Sequence, residues 1–142
     1  MSQSARQARL QLAVGGTDFP VLGLSGKEEL NQPFTFHVHV LADGWAAVGH
    51  HLGRAACLTM SAPDGYQRRV NGLVTAVEGE KDLPDGRSII RLTLESSLAL
   101  LKHRTDSRLI VSETLPAVIR QTLNRHNIPD SRLDVQLARS TR

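Results

Sequence analysis

The sequence is poor in the residues on which most protein chemistry depends. A single cysteine, Cys57, excludes an internal disulfide, and its apolar surroundings in residues 55–60 predict a small core residue. Aromatic residues make up 4% of the chain, too little for the row of exposed rings that a single-strand nucleic-acid platform needs. No run approaches the roughly 18 apolar residues of a membrane helix, so membrane insertion is not expected. The amino terminus has charge but no hydrophobic stretch behind it, so no secretory signal peptide is expected.

Motifs of catalysis are missing as well. There is no Gly-x-Ser-x-Gly elbow, no phosphate-cradling glycine loop, no Cys-x-x-Cys and no His-Glu-x-x-His. Thr105, Asp106 and Ser107 are polar neighbours, but nothing supplies the base that a triad requires. Six histidines form the one metal-like set. His37 and His39 sit two apart, His50 and His51 are adjacent, and His103 and His126 stand alone. A zinc site takes four ligands, or three and a water, so the strand histidines read as solvent-facing side chains. Glu78, Glu80, Asp82 and Asp85 surround a turn and read as a solvated tip. The expectation is therefore no catalytic residue, no cofactor-binding residue and no metal ligand: not an enzyme.

What is present is alternation. Residues 34–40 read Phe-Thr-Phe-His-Val-His-Val, with an apolar face of Phe34, Phe36, Val38 and Val40 and a polar face of Thr35, His37 and His39. A period of two is a half-buried strand, and Pro33, lacking an amide hydrogen, fits at its entry. Similar patterns predict strands near 8–14, 19–24, 54–61, 66–80 and 87–96. Pro-Asp-Gly sequences at 63–65 and 84–86 supply hairpin turns. Gly72 inside a long strand predicts a bulge or sharp bend, which would curl the sheet.

The period then changes. Residues 45–52 suggest a short loop or a single helical turn, 98–101 one helical turn, and 114–127 a helix. Leu115, Val118, Ile119, Thr122 and Leu123 would share its buried face. Thr114 is placed to cap it, and Asn127 and Pro129 to end it. A last short strand is expected at 133–137. The fold class is mainly β with one or two helices: strands at this spacing with tight turns favour a curled antiparallel barrel or sandwich, with a helix near the carboxyl end.

Charge is uneven. Residues 1–100 carry nine basic and ten acidic side chains, or −1, while 101–142 carry eight and four, or +4. A basic tail of this size permits a small binding module for nucleic acid or an acidic ligand, although no nucleic-acid motif accompanies it. Neighbouring strand residues face opposite ways, so only one of Arg68 and Arg69 can face any given partner; they read either as a solvated barrel exterior or as a contact to an acidic surface on another subunit.

Several segments, in order, resemble one family. Residues 25–36, Ser-Gly-Lys-Glu-Glu-Leu-Asn-Gln-Pro-Phe-Thr-Phe, are similar to the entry strand of VgrG proteins, the spike of bacterial type VI secretion. Leu52-Gly53-Arg54 resembles that family's next strand start, and Arg69-Val70-Asn71-Gly72-Leu73-Val74 a later strand. Residues 98–101, 105–110 and 114–119 resemble its closing stretch and helix. Asn31 departs from the usual serine, and Ile110-Val111 from an aromatic and a glutamine.

The resemblance implies a phage tail-hub type of barrel. Residues 1–112 would be the first hub barrel, and 113–142 the helix and the start of the following segment of a larger protein. It implies a structural role in the base ring of the spike, with its own subunits as a trimer and the hexameric Hcp tube as partners. Effectors or adaptors would travel with it. Assembly would take place in the bacterial cytoplasm, followed by secretion without a signal peptide. A phage baseplate hub shares the fold and differs in its tube. A fragment of this kind would be a monomer or a small oligomer rather than the native ring.

Overall fold

Alternating burial builds the strands where the sequence places them. The computed structural model describes residues 9–103, 105, 107–129 and 134. Its strands are β1 (Arg9–Val14), β2 (Thr17–Lys27), β3 (Thr35–Ala42), β4 (Ala55–Ser61), β5 (Gln67–Asp82) and β6 (Ser88–Glu95). A four-residue helix, α1 (Ala46–Gly49), follows β3, and a 3₁₀ helix at Ser97–His103 follows β6. The longer helix is α2 (Leu115–Arg125). Packing divides the chain into two compact units, Met1–Leu100 and Leu101–Arg142. The strand expected at 133–137 lies outside the described residues, apart from Asp134, which is in no strand.

In the first unit the strands close in the order β1-β2-β3-β6-β5-β4, every neighbour antiparallel. On β3, Phe36, Val38, Val40 and Ala42 are buried and the residues between them half-buried. They stand opposite Leu94, Leu92, Ile90 and Ser88 of β6. Leu12 faces Leu58 and Val14 faces Ala56 across β1 and β4. With Val48, Val70 and Val74 these side chains form one core. A fully buried Leu or Val contributes about 1.5–3 kcal/mol relative to its exposed state, so this interior, not any single bond, holds the barrel.

Two long strands close it by changing partners. β2 pairs with β1 through Pro20, then with β3 from Val21 to Lys27, with a register shift at Leu22. β5 pairs with β4 through Leu73 and with β6 from Leu73 onward, with shifts at Thr75 and Glu80. The bulge expected at Gly72 is thus displaced: the register runs unbroken through Gly72, opposite Ala56. Gly72 serves close approach instead. A Cβ there would lie 2.7 Å from the Glu95 carbonyl oxygen and 3.2 Å from Phe34 Cζ.

The two Pro-Asp-Gly hairpins are copies of one device. In each, the glycine takes a positive φ, 91° at Gly65 and 84° at Gly86. Its N–H reaches back to Ala62 or Leu83, and the aspartate Oδ1 accepts the N–H of Tyr66 or Arg87. A type I turn closed by a left-handed residue matches the twist of the flanking strands.

In the second unit, α2 begins at Thr114 without a side-chain cap bond. The cap expected there does not form; the Thr114 carbonyl accepts the Val118 N–H as the first bond of the helix. Leu123 is buried and Val118 and Ile119 are half-buried, but Leu115 is 61% exposed, so the apolar stripe is narrower than its spacing predicts. Thr122 is also exposed and donates its hydroxyl to the Val118 carbonyl. The carboxyl end is a Schellman cap: Asn127 has φ 60°, Ile128 N–H bonds Leu123 O at 2.9 Å, and Asn127 N–H bonds Asn124 O. Leu123 and Ile128 are buried, supplying the apolar contact typical of this cap.

Candidate assembly surface

The polar face of the barrel is tied together across strands. His37 Nδ1 lies 3.1 Å from Thr93 Oγ1, and His39 Nδ1 lies 2.8 Å from Glu80 Oε2. Both histidines are half-buried in this ladder rather than open to solvent, because the registers of β3, β6 and β5 bring Thr93 and Glu80 beside them. Arg91 pairs with Glu78, and the carboxylate holds the guanidinium pKa above its usual value, chiefly by hydrogen bonding. Asp82 accepts from Ser88 at 2.6 Å, and Asp85 accepts from Arg87. The same bond to Arg87 pulls the Asp85 carboxyl below its ordinary value. The acidic cluster at the tip is therefore paired residue by residue with its neighbours.

Arg68 is committed within the chain. It donates to both carboxylate oxygens of Glu28 at 2.6 Å, forty positions away in sequence. Arg69 is exposed.

The adjacent histidines differ from each other. His51 is 4% exposed, edge-on to the Phe19 ring at 5.2 Å, while the exposed His50 ring lies over it at 4.1 Å. Burial, with the nearby charges of His50 and Arg54, keeps His51 below the usual imidazole pKa of 6.5. Cys57 corrects its expectation too. It is half-buried on β4 between the buried Ala56 and Leu58, so its side chain is on the face away from the core.

No reactive constellation forms among the described residues. No three His, Cys, Asp or Glu side chains there gather to hold a metal ion. The titratable groups of a groove of about 330 Å³ beside α1 are Asp18, Asp43 and Arg87. A smaller one, in the second unit, is lined by Arg108, Ile110, Thr122, Arg125 and His126. His126 Nδ1 is buried there without a hydrogen-bond partner. Thr105 and Ser107 are exposed, and Asp106 lies outside the described residues. No described helix is long and apolar enough to cross a membrane.

What the geometry offers is a barrel wall with paired charges, two strands that turn corners and apolar side chains left outside. Those include Leu22, Leu30, Trp45, Leu52 and Leu109. Residues 27–142 match the family described as phage tail baseplate hub (GPD). The type VI secretion system spike protein VgrG1b of Pseudomonas aeruginosa is 25% identical over 122 residues, 85% of this chain and 16% of that protein. The chain thus spans about a sixth of the length of this relative.

A solved structure shares the fold, with TM-score 0.73 and 22% identity, covering 84% of this chain and 33% of its own. It is the E. coli c3393 protein, described as a component of the type VI secretion system with structural similarity to T4 bacteriophage tail proteins gp27 and gp5. The mainly β fold read from the alternation is the one observed, closed as the barrel that the resemblance implies, and the match over residues 27–142 carries the assignment. The chain belongs to the phage tail baseplate hub family.

Proposed function

We propose that the chain is a structural part of a type VI secretion spike, contributing to the base ring that docks on the hexameric Hcp tube. One observation carries this reading: the chain builds a closed barrel with corner-turning β2 and β5, and 85% of it aligns with a named spike protein. Ring subunits of this kind act through rigid packed walls and need no reacting groups. The role is therefore non-enzymatic, with no cofactor or metal. Its partners are its own subunits as a trimer in the larger protein, the Hcp tube, and effectors or adaptors carried with the spike.

Residues 1–112 act in this proposal as the first hub barrel and 113–142 as the start of the following segment. Assembly takes place in the cytoplasm, followed by secretion without a signal peptide. Pull-down of the chain with purified Hcp hexamers, against a phage tube protein as comparison, tests the reading. Retention on Hcp is expected; retention on the phage tube alone favours a tail hub, the second reading that the family description suggests. Salt-sensitive binding to an oligonucleotide, with neither tube retained, would point instead to a basic binding module.

A further inference from the structure

We propose that the outer edge of β2, residues 21–27, takes an added strand from a second copy of this chain, namely residues 107–111. The β1–β2 ladder ends at the pair Gln11–Pro20. Pro20 has no N–H to continue it, and the shift at Leu22 carries β2 over to β3. From Val21 to Lys27, β2 pairs among the described residues with β3 alone. Its other edge presents backbone donors and acceptors.

Exposed edges are ordinarily blunted by charge or bulges. The part of β5 that pairs only with β4 carries Arg68 and Arg69, and its far end carries Glu78, Glu80, Lys81 and Asp82 beside two register shifts. Residues 21–26 of β2 carry no charge. Leu22 there is 55% exposed, and the one charged residue, Lys27, is paired with Glu29. Among the described residues, this edge is left open to pairing.

The donor segment is equally uncovered. Residues 107–111 belong to no helix or strand and are exposed throughout. Arg108 and Ile110 line the groove against α2, while Leu109 is 91% and Val111 69% exposed. Ser112, at φ 61°, ends the run. Five residues make an ordinary strand, shorter than the edge that receives it. Seated there, Leu109 and Val111 extend the apolar side that Val21 and Leu24 already pack against the core. Edge and donor are different surfaces, so the contact is head-to-tail. This interface goes beyond docking on a tube and does not depend on it.

Sedimentation equilibrium of the full chain over a range of concentrations tests it. Wild-type mass is expected to rise with concentration. Leu22→Glu, and separately the pair Leu109→Lys with Val111→Lys, should each weaken association by at least about tenfold. All three sites are exposed, so the thermal transition should stay in place. Mixing the two variants should restore association as 1:1 dimers only, because one keeps the edge and the other the donor. A wild type that stays monomeric, a lysine variant that associates normally, or a mixture that does not pair would overturn the proposal. Association gained only on removing residues 1–8 would assign the edge to that segment and overturn it as well.

Discussion

Replacing Gly72 by alanine probes the seam where β5 leaves β4 for β6. The added methyl would sit 2.7 Å from the Glu95 carbonyl oxygen and 3.2–3.3 Å from the Phe34 ring. Backbone atoms cannot swing away as a side chain end can, so the start of the β5–β6 ladder at Leu73–Glu95 must shift. Overpacking of this kind costs about 1–3 kcal/mol. Each kcal/mol lowers the melting temperature of a domain this size by roughly 4–8 °C.

Gly79, in the same strand, provides the control. A Cβ there meets only the Trp45 ring at 3.7 Å, an ordinary contact. Gly79→Ala should be neutral or stabilise by about 0.4–1 kcal/mol through the unfolded chain. Calorimetry of both variants separates steric approach from strand propensity, which would move the two together. Equal melting temperatures for the two variants would refute the argument.

Two further outcomes follow from the interior. Leu92 is fully buried at the centre of β6, opposite Val38 and Val77, so Leu92→Ala should cost about 2–5 kcal/mol, read from urea unfolding. Burial favours the neutral form of His51 in the fold. Its contribution is complete above the unfolded value of 6.5 and is lost as pH falls below that value through the lowered folded one. The unfolding free energy from denaturant titration should drop from pH 7 to pH 5 by at most about 1.4 kcal/mol per pH unit on this account. His51→Leu should flatten that slope.

Much of the barrel was legible because its signals are local. Alternation at residues 34–40 and 88–95 fixes which face is buried, and Pro-Asp-Gly fixes the turns. Side-chain pairing was not legible, because it depends on register: Arg68 meets Glu28, and His39 meets Glu80, only once β2, β3, β5 and β6 are in place. Gly72 was legible as a bulge or a bend in the strand, but its close approach to Glu95 and Phe34 depends on register. His51 sits in a stretch with no period, so only the fold reveals its burial beside Phe19. The absence of a catalytic motif was an observation on the sequence; the candidate surface, by contrast, emerged from which strand edge the register leaves uncovered.

The central claim is that this barrel is part of an assembly that exports a tube. In a strain whose one spike gene encodes this chain, removing the segment for residues 9–95 and measuring Hcp in the culture medium tests it most directly. The account predicts that Hcp remains in the cells at normal level and disappears from the medium. Undiminished export of Hcp would contradict it.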